Sequence, residues 1–155
     1  MWPELEPAVT AWNEYVERGD ACEGALPAEG TEKGFRRIPI DGIRMNDAHY
    51  EFLVRGRAAG RGLGGVLGLE LHIENGHDRI DLLNDFQYEM LPHRFPRVSA
   101  QCWRWGQADA QRLSFLVPSN AEPRLIVERM CELIGDTRAR VLDSFRTPKV
   151  ASVAR

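Results

Sequence analysis

Glu70, His72 and Glu74 occupy alternate positions in a run whose intervening residues, Leu71 and Ile73, are apolar. Alternate side chains of an extended strand project from the same face, so a carboxylate, an imidazole and a second carboxylate stand in one row. Such a row can ligate a divalent cation or move a proton when neighbouring elements supply further groups. A nuclease centre built on it would also need an acidic residue from an adjacent strand, Asp47 or Glu51, and a lysine two residues after Glu70. His72 stands at that position, and Lys33 and Lys149 lie outside the core pattern. A polar row is also what the wet side of an antiparallel sheet displays. The row is therefore expected to be a solvated face, with no metal, no cofactor and no catalytic residue assigned.

A second cluster joins Arg55, Arg57 and Arg61 to Gly56, Gly60, Gly62, Gly64 and Gly65. A dinucleotide fingerprint leaves a strand and enters a helix, whose N-terminus receives the phosphate. Here the glycines lead into a strand pattern at residues 66 to 73, so a hairpin loop is expected, and anion binding by Arg55, Arg57 and Arg61 is the alternative. Nucleic acid could use the same loop with Arg36 and Arg37.

Trp103, Arg104 and Trp105 form the third candidate. Alternation puts Trp103 and Trp105 with Ser99 and Gln101, and Arg104 with Val98, Ala100 and Cys102. If the small apolar face packs on the helices, the tryptophans make an outward interaction patch, since Trp and Arg are common interface anchors. Otherwise the tryptophans are core and Arg104 is outside. No Ser sits in a Gly-x-Ser-x-Gly elbow. Cys22, Cys102 and Cys131 have no metal-ligand or redox spacing, and reduced thiols are expected, with Cys102 and Cys131 packed in the core.

The elements that must carry these residues follow from periodicity. Leu5, Val9, Trp12, Tyr15 and Val16 recur at helical spacing over residues 4 to 18, with Gly19 as a stop. Residues 20 to 34, rich in Gly, Ala, Glu and Pro, read as a mobile loop. Strands are expected at 35–40 and 48–55, with Asp41-Gly42 as the turn, then at 66–73. A helix at 81–91 carries Leu83, Phe86 and Met90, a hairpin joins strands at 98–105 and 111–117, and the longest helix spans 122–145. Gly135 is expected to weaken or kink that helix. The result is an α+β, two-layer fold: an antiparallel five-stranded sheet with helices on one face, as one domain over residues 1–145. Its first 34 residues form an acidic helix and loop, 35–145 form the core, and 146–155 form a disordered tail.

The 155 residues are 43% hydrophobic and 28% charged, ordinary values for a globular chain, and no apolar run approaches the roughly 18 residues that span a bilayer. Met1-Trp2-Pro3-Glu4 has no basic segment leading into an apolar core, so a cytoplasmic location without membrane attachment is expected. The net charge of −3 is concentrated in the N-terminal third, where Arg18 and Lys33 face many more acids. Basic residues are almost all Arg without a contiguous run, which does not argue for nucleic acid.

Residues 35 to 145 resemble a bacterial domain of unknown function often found behind restriction-endonuclease-like PD-(D/E)xK domains. The likeness lies in the strand Leu69-Glu70-Leu71-His72-Ile73, the acidic helix after it, the strand Gln101-Cys102-Trp103, the hairpin and the long last helix. The family's middle helix is rich in Lys and Glu, whereas this chain has Asn84-Asp85-Phe86-Gln87-Tyr88-Glu89. The element order is also similar to that of the homodimeric chaperones of type III secretion systems. Both resemblances imply a non-enzymatic binding or adaptor module for a protein partner, possible in a nucleic-acid-processing or defence setting, with a homodimer or an inhibitor among the forms it could take. The alternative is a metal-dependent nuclease using Glu70, His72 and Glu74.

Overall fold

Ala8, Val9 and Trp12 lie on one stripe of helix α1 (Glu6–Glu17), with Leu5 at its N-cap, and all four are buried. A proline in its first turn suits the start of a helix, where the missing N–H would have no partner. Gly19, at φ +72°, ends it: the Gly19 N–H donates to the Val16 carbonyl and the Asp20 N–H to the Tyr15 carbonyl, a Schellman pair. This computed structural model describes residues 2–30, 33–55, 65–90, 99–105 and 108–146, with the backbone alone at 90, 103–105, 108 and 109.

Three strands follow, β1 (Phe35–Pro39), β2 (Ala48–Arg55) and β3 (Val66–Ile73), then the short helix α2 (Ile80–Asp85). A π-helical turn, Phe86–Met90, extends α2, so the second half of the helix expected at 81–91 is wound more loosely. Strands β4 (Ser99–Trp105) and β5 (Ala108–Pro118) precede the long helix α3 (Pro123–Arg146). Gly135 sits on the solvent side of α3, and the helix runs through it unbroken, contrary to the expected kink. Residues 147–155, where a tail was expected, lie outside the described residues.

The sheet is antiparallel throughout, in the order β1-β2-β3-β5-β4. Period-two alternation gives it a helix-facing side made of Ile38, Tyr50, Phe52, Leu67, Leu69, Leu71, Ile73, Leu113 and Phe115, all buried. Against it pack Trp12, Leu83, Phe86 and the apolar stripe of α3, including Ile126, Met130, Leu133 and Val141. The Trp12 and Phe52 rings meet edge to face at 5.8 Å, and the Tyr50 hydroxyl shares a hydrogen bond of 2.7 Å with the Thr137 hydroxyl. This is the expected α+β architecture. No helix among the described residues is long and apolar enough to cross a membrane.

Residues 20–30 are not the mobile loop that their composition suggested. The Trp12 indole N–H donates to the Leu26 carbonyl (2.8 Å) and the Ala28 N–H to Asn13 Oδ1 (2.8 Å). Glu29 exchanges both main-chain hydrogen bonds with Arg37, and Cys22, Ala25 and Ala28 pack on the core. The segment is a strap across α1 and the outer edge of β1. Its hold comes from long-range polar contacts, which leave no periodic trace in the sequence.

Two turns place the groups discussed next. Gly42, at φ +92°, closes the Asp41-Gly42 turn between β1 and β2. After β3, Asn75 and Gly76 both adopt positive φ (61° and 77°), a conformation favoured by Asn-Gly pairs. The Asn75 side chain then donates to Asp47 (2.8 Å), tying this turn to the start of β2.

Candidate functional site

The side of the sheet away from the helices is not a wet surface. Glu70 and His49 are fully buried and Glu51, His72 and Ser114 nearly so, which corrects the expectation of a solvated polar row. β3 is the middle strand of five, so its second face is hemmed in by β2 and β5. Longer side chains, Arg37, Arg55, Arg112 and Glu74, lie around the rim at 20–34% side-chain exposure.

Register explains the cluster. Glu51 lies opposite Glu70, His49 opposite His72, Ser114 opposite Glu70 and Arg112 opposite His72. The Glu70 carboxylate accepts hydrogen bonds from Ser114 Oγ (2.5 Å), His72 Nε2 (2.7 Å) and Arg55 Nη1 (3.0 Å), with Arg112 Nη1 at 3.6 Å. Gly68 makes room for this: a Cβ there would stand 2.7 Å from Glu70 Oε2 and 3.2 Å from the Arg55 side chain. His72 Nε2 is also 3.2 Å from Glu51, and Nδ1 is 3.3 Å from Glu74. His49 donates from Nδ1 to the Met45 carbonyl (2.8 Å). Its ring centroid lies 5.2 Å from that of His72.

Electrostatics follow the geometry. Burial alone would raise the Glu70 pKa, but the His72 hydrogen bond and charge, the Ser114 hydroxyl and Arg112 outweigh it and bring the pKa down to about 2. Burial likewise opposes a charged His72, yet hydrogen bonds to Glu70 and Glu74 and the charge of Glu51 raise it to about 9. The His72 hydrogen bond in turn holds Glu74 below the ordinary range. The sign of the pH dependence follows. The stabilisation tied to His72 is complete below its ordinary 6.5 and is lost as pH rises through about 9, whereas that tied to Glu70 is complete above 4.5 and is lost as pH falls towards about 2. Unfolding free energies from urea titrations are therefore expected to be flat between about pH 4.5 and 6.5 and to fall on the alkaline side by at most ~3 kcal/mol. His72→Gln is expected to flatten that alkaline limb, and an unchanged limb would remove His72 as its cause.

The sequence candidates divide on this framework. Glu70, His72 and Glu74 come together with Glu51. Asp47 instead serves the turn, beside Asn75 and His77. Arg55 is committed to Glu70, and Arg57 and Arg61 lie outside the described residues. Arg36 is buried on the helix side, paired with Glu6 at 2.5 Å and bonded to the Lys33 and Phe35 carbonyls. Trp103, Arg104 and Trp105 belong to β4, but their side chains are outside the described residues. Ala100 packs on the core, so positions 103 and 105 alternate with the helix-facing ones.

Cys102 is exposed rather than packed in the core, because it lies near the sheet's outer edge. Cys22 and Cys131 meet although 109 positions apart: the Cys22 N–H donates to Cys131 Sγ at 3.2 Å. Hydrogen bonding from Cys22 lowers the Cys131 thiol to about 7. Sequence reasoning missed His49, Ser114 and Arg112. A signal existed, since each alternates with apolar residues that face the helices (Tyr50, Leu113, Phe115), but it became meaningful only with the strand order. No family model, curated protein or solved structure matches this chain.

Proposed function

We propose that the chain is a binding module that takes an extended segment of a protein partner as an added strand along the outer edge of β4. The carrying observation is the unequal treatment of the two sheet edges. On β1 the edge is blocked by the reciprocal Glu29–Arg37 main-chain pair (2.7 and 3.0 Å). On β4, the last strand in the order, no further strand lies beyond it among the described residues.

Antiparallel pairing directs alternate residues toward and away from the neighbouring strand. The Ala100 N–H bonds to Gln87 Oε1 (3.1 Å), which marks Ala100 as outward-directed, and the unbroken register with β5 gives Cys102 and Arg104 the same direction. Gln87 occupies the edge at Ala100, and the outward main-chain groups of Cys102 and Arg104 are of the kind that template strand addition. The flanking Trp103, Arg104 and Trp105 are the residue types that anchor interfaces. Such a role is also what the resemblance to secretion chaperones implies.

Cys102→Pro removes one outward N–H and leaves the bonds to β5 in place. Tagged chain purified after nuclease treatment is expected to retain a stoichiometric protein, and Cys102→Pro to lose it while keeping a thermal midpoint within a few degrees. Equal retention by the folded variant would rule strand addition out. A second copy could occupy the same edge about a two-fold axis, and a dimer by light scattering that becomes monomeric in Cys102→Pro would identify it.

A further inference from the structure

Among the described residues, the buried face of the sheet holds two polar side-chain atoms without a hydrogen-bond partner, Arg37 Nε at its rim and His49 Nε2 within it. His49 is fully buried and its Nε2 has no hydrogen-bond partner. The reason is chemical. A carbonyl can only accept, so the 2.8 Å contact to Met45 requires the proton on Nδ1, and in the neutral imidazole Nε2 then carries a lone pair. Nε2 stands 3.4 Å from Glu51 Oε1, an approach that is attractive only if a positive charge is shared between them. A proton or a metal ion would serve.

The neighbouring groups favour the metal. Ligand atoms of His49, His72 and Glu74 all lie within 4.8 Å of one another. Donors about 2.1 Å from a tetrahedral ion stand about 3.4 Å apart, so side-chain rotations on the order of an ångström would close the set. The outer contacts are those of metal-binding histidines, which donate their other ring N–H to a carbonyl or carboxylate. His49 does so to Met45, and His72, if it ligates through Nδ1, does so from Nε2 to Glu70 at 2.7 Å. We propose that His49 Nε2, His72 Nδ1 and Glu74 bind one divalent transition-metal ion of the Zn2+ class between β2 and the end of β3.

Two imidazoles and a carboxylate suit Zn2+, Co2+ or Ni2+ better than Mg2+ or Ca2+, which prefer oxygen. Binding displaces the Nδ1 proton of His72 to solvent. The other triad of possible ligands, Glu51, Glu70 and His72, is less available, because Arg55 and Ser114 already hold Glu70. Glu74 is the ligand nearest solvent, at 28% side-chain exposure, and three protein donors leave a position for water or Glu51.

The test is titration of the chelator-stripped full chain with Co2+, followed by ligand-field absorption, and with Zn2+, followed by histidine 15N resonances. One equivalent is expected to bind, shifting His49 Nε2 and His72 Nδ1 and leaving His77 unmoved. Glu74→Gln changes a rim residue and should fold; it is expected to weaken Co2+ binding by more than about tenfold. His49→Gln is expected to abolish it, and His77→Gln to leave it intact. No Co2+ or Zn2+ binding by the folded chain would overturn the site. So would undiminished binding by Glu74→Gln, or resonance shifts confined to His77. If His49→Gln fails to fold, the Glu74→Gln titration and the resonance shifts decide alone.

Discussion

Glu70→Ala is expected to lower the unfolding free energy by about 3–5 kcal/mol, the range for removing one partner from a buried charged network. The loss is larger than the sum of hydrogen bonds would suggest, because the partners stay behind. Arg55, His72 and Ser114 all direct donors at this fully buried carboxylate, and Arg112 stands 3.6 Å away. Without it, His72 and two guanidinium groups crowd the second face of the sheet with less negative charge to balance them. Glu74→Gln is the control. Glu74 lies at the rim, where a charge is screened by solvent, and its substitution is expected to cost no more than about 1 kcal/mol. Chemical unfolding of both variants at pH 6 measures the contrast. If Glu70→Ala costs as little as Glu74→Gln, the network is not what supports this face.

Trp12→Ala is expected to cost a similar ~3–5 kcal/mol, for a different reason. Trp12 is fully buried, meets Phe52 edge to face and donates its indole N–H to Leu26. Truncation would leave a large cavity between α1 and the sheet and an unpaired carbonyl in the strap of residues 20–30. Trp12→Phe separates the two contributions: it keeps most of the ring packing and loses the hydrogen bond, so about 1–2 kcal/mol is expected. Amide exchange adds a local readout. Ala28 bonds to Asn13 within the same strap, so its protection is expected to fall in Trp12→Phe more than that of the α3 amides. Unchanged protection of Ala28 would show that the strap does not depend on Trp12.

Both predictions depend on contacts that one segment makes with another, and here the reading of the chain and its structure diverged. The strap residues were read as loop because Gly, Pro and Ala there have no period; their anchoring comes from single hydrogen bonds to Trp12 and Asn13. The row of Glu70, His72 and Glu74 was visible, and its face was correctly separated from Leu69 and Leu71. Its burial was not visible, because alternation of polar and apolar residues looks the same whether the polar face meets water or an ion network. Cys22 and Cys131 show the same limit, being 109 positions apart and in contact.

Taken by itself, the sequence determined the local order: which stretches are helix or strand, which side faces the core in each strand except β4, and where Gly19 and the Asp41-Gly42 turn end or reverse them. Those properties are set by periodicity and by backbone conformations accessible within a few residues. Tertiary structure alone decided the order β1-β2-β3-β5-β4 and its register, and with them the pairing of Glu51 with Glu70 and of His49 with His72. The physical reason is that neighbours across a sheet are chosen by the packing of the whole core. A polar residue therefore acquires its charge partners, its burial and its chemistry only when distant strands meet.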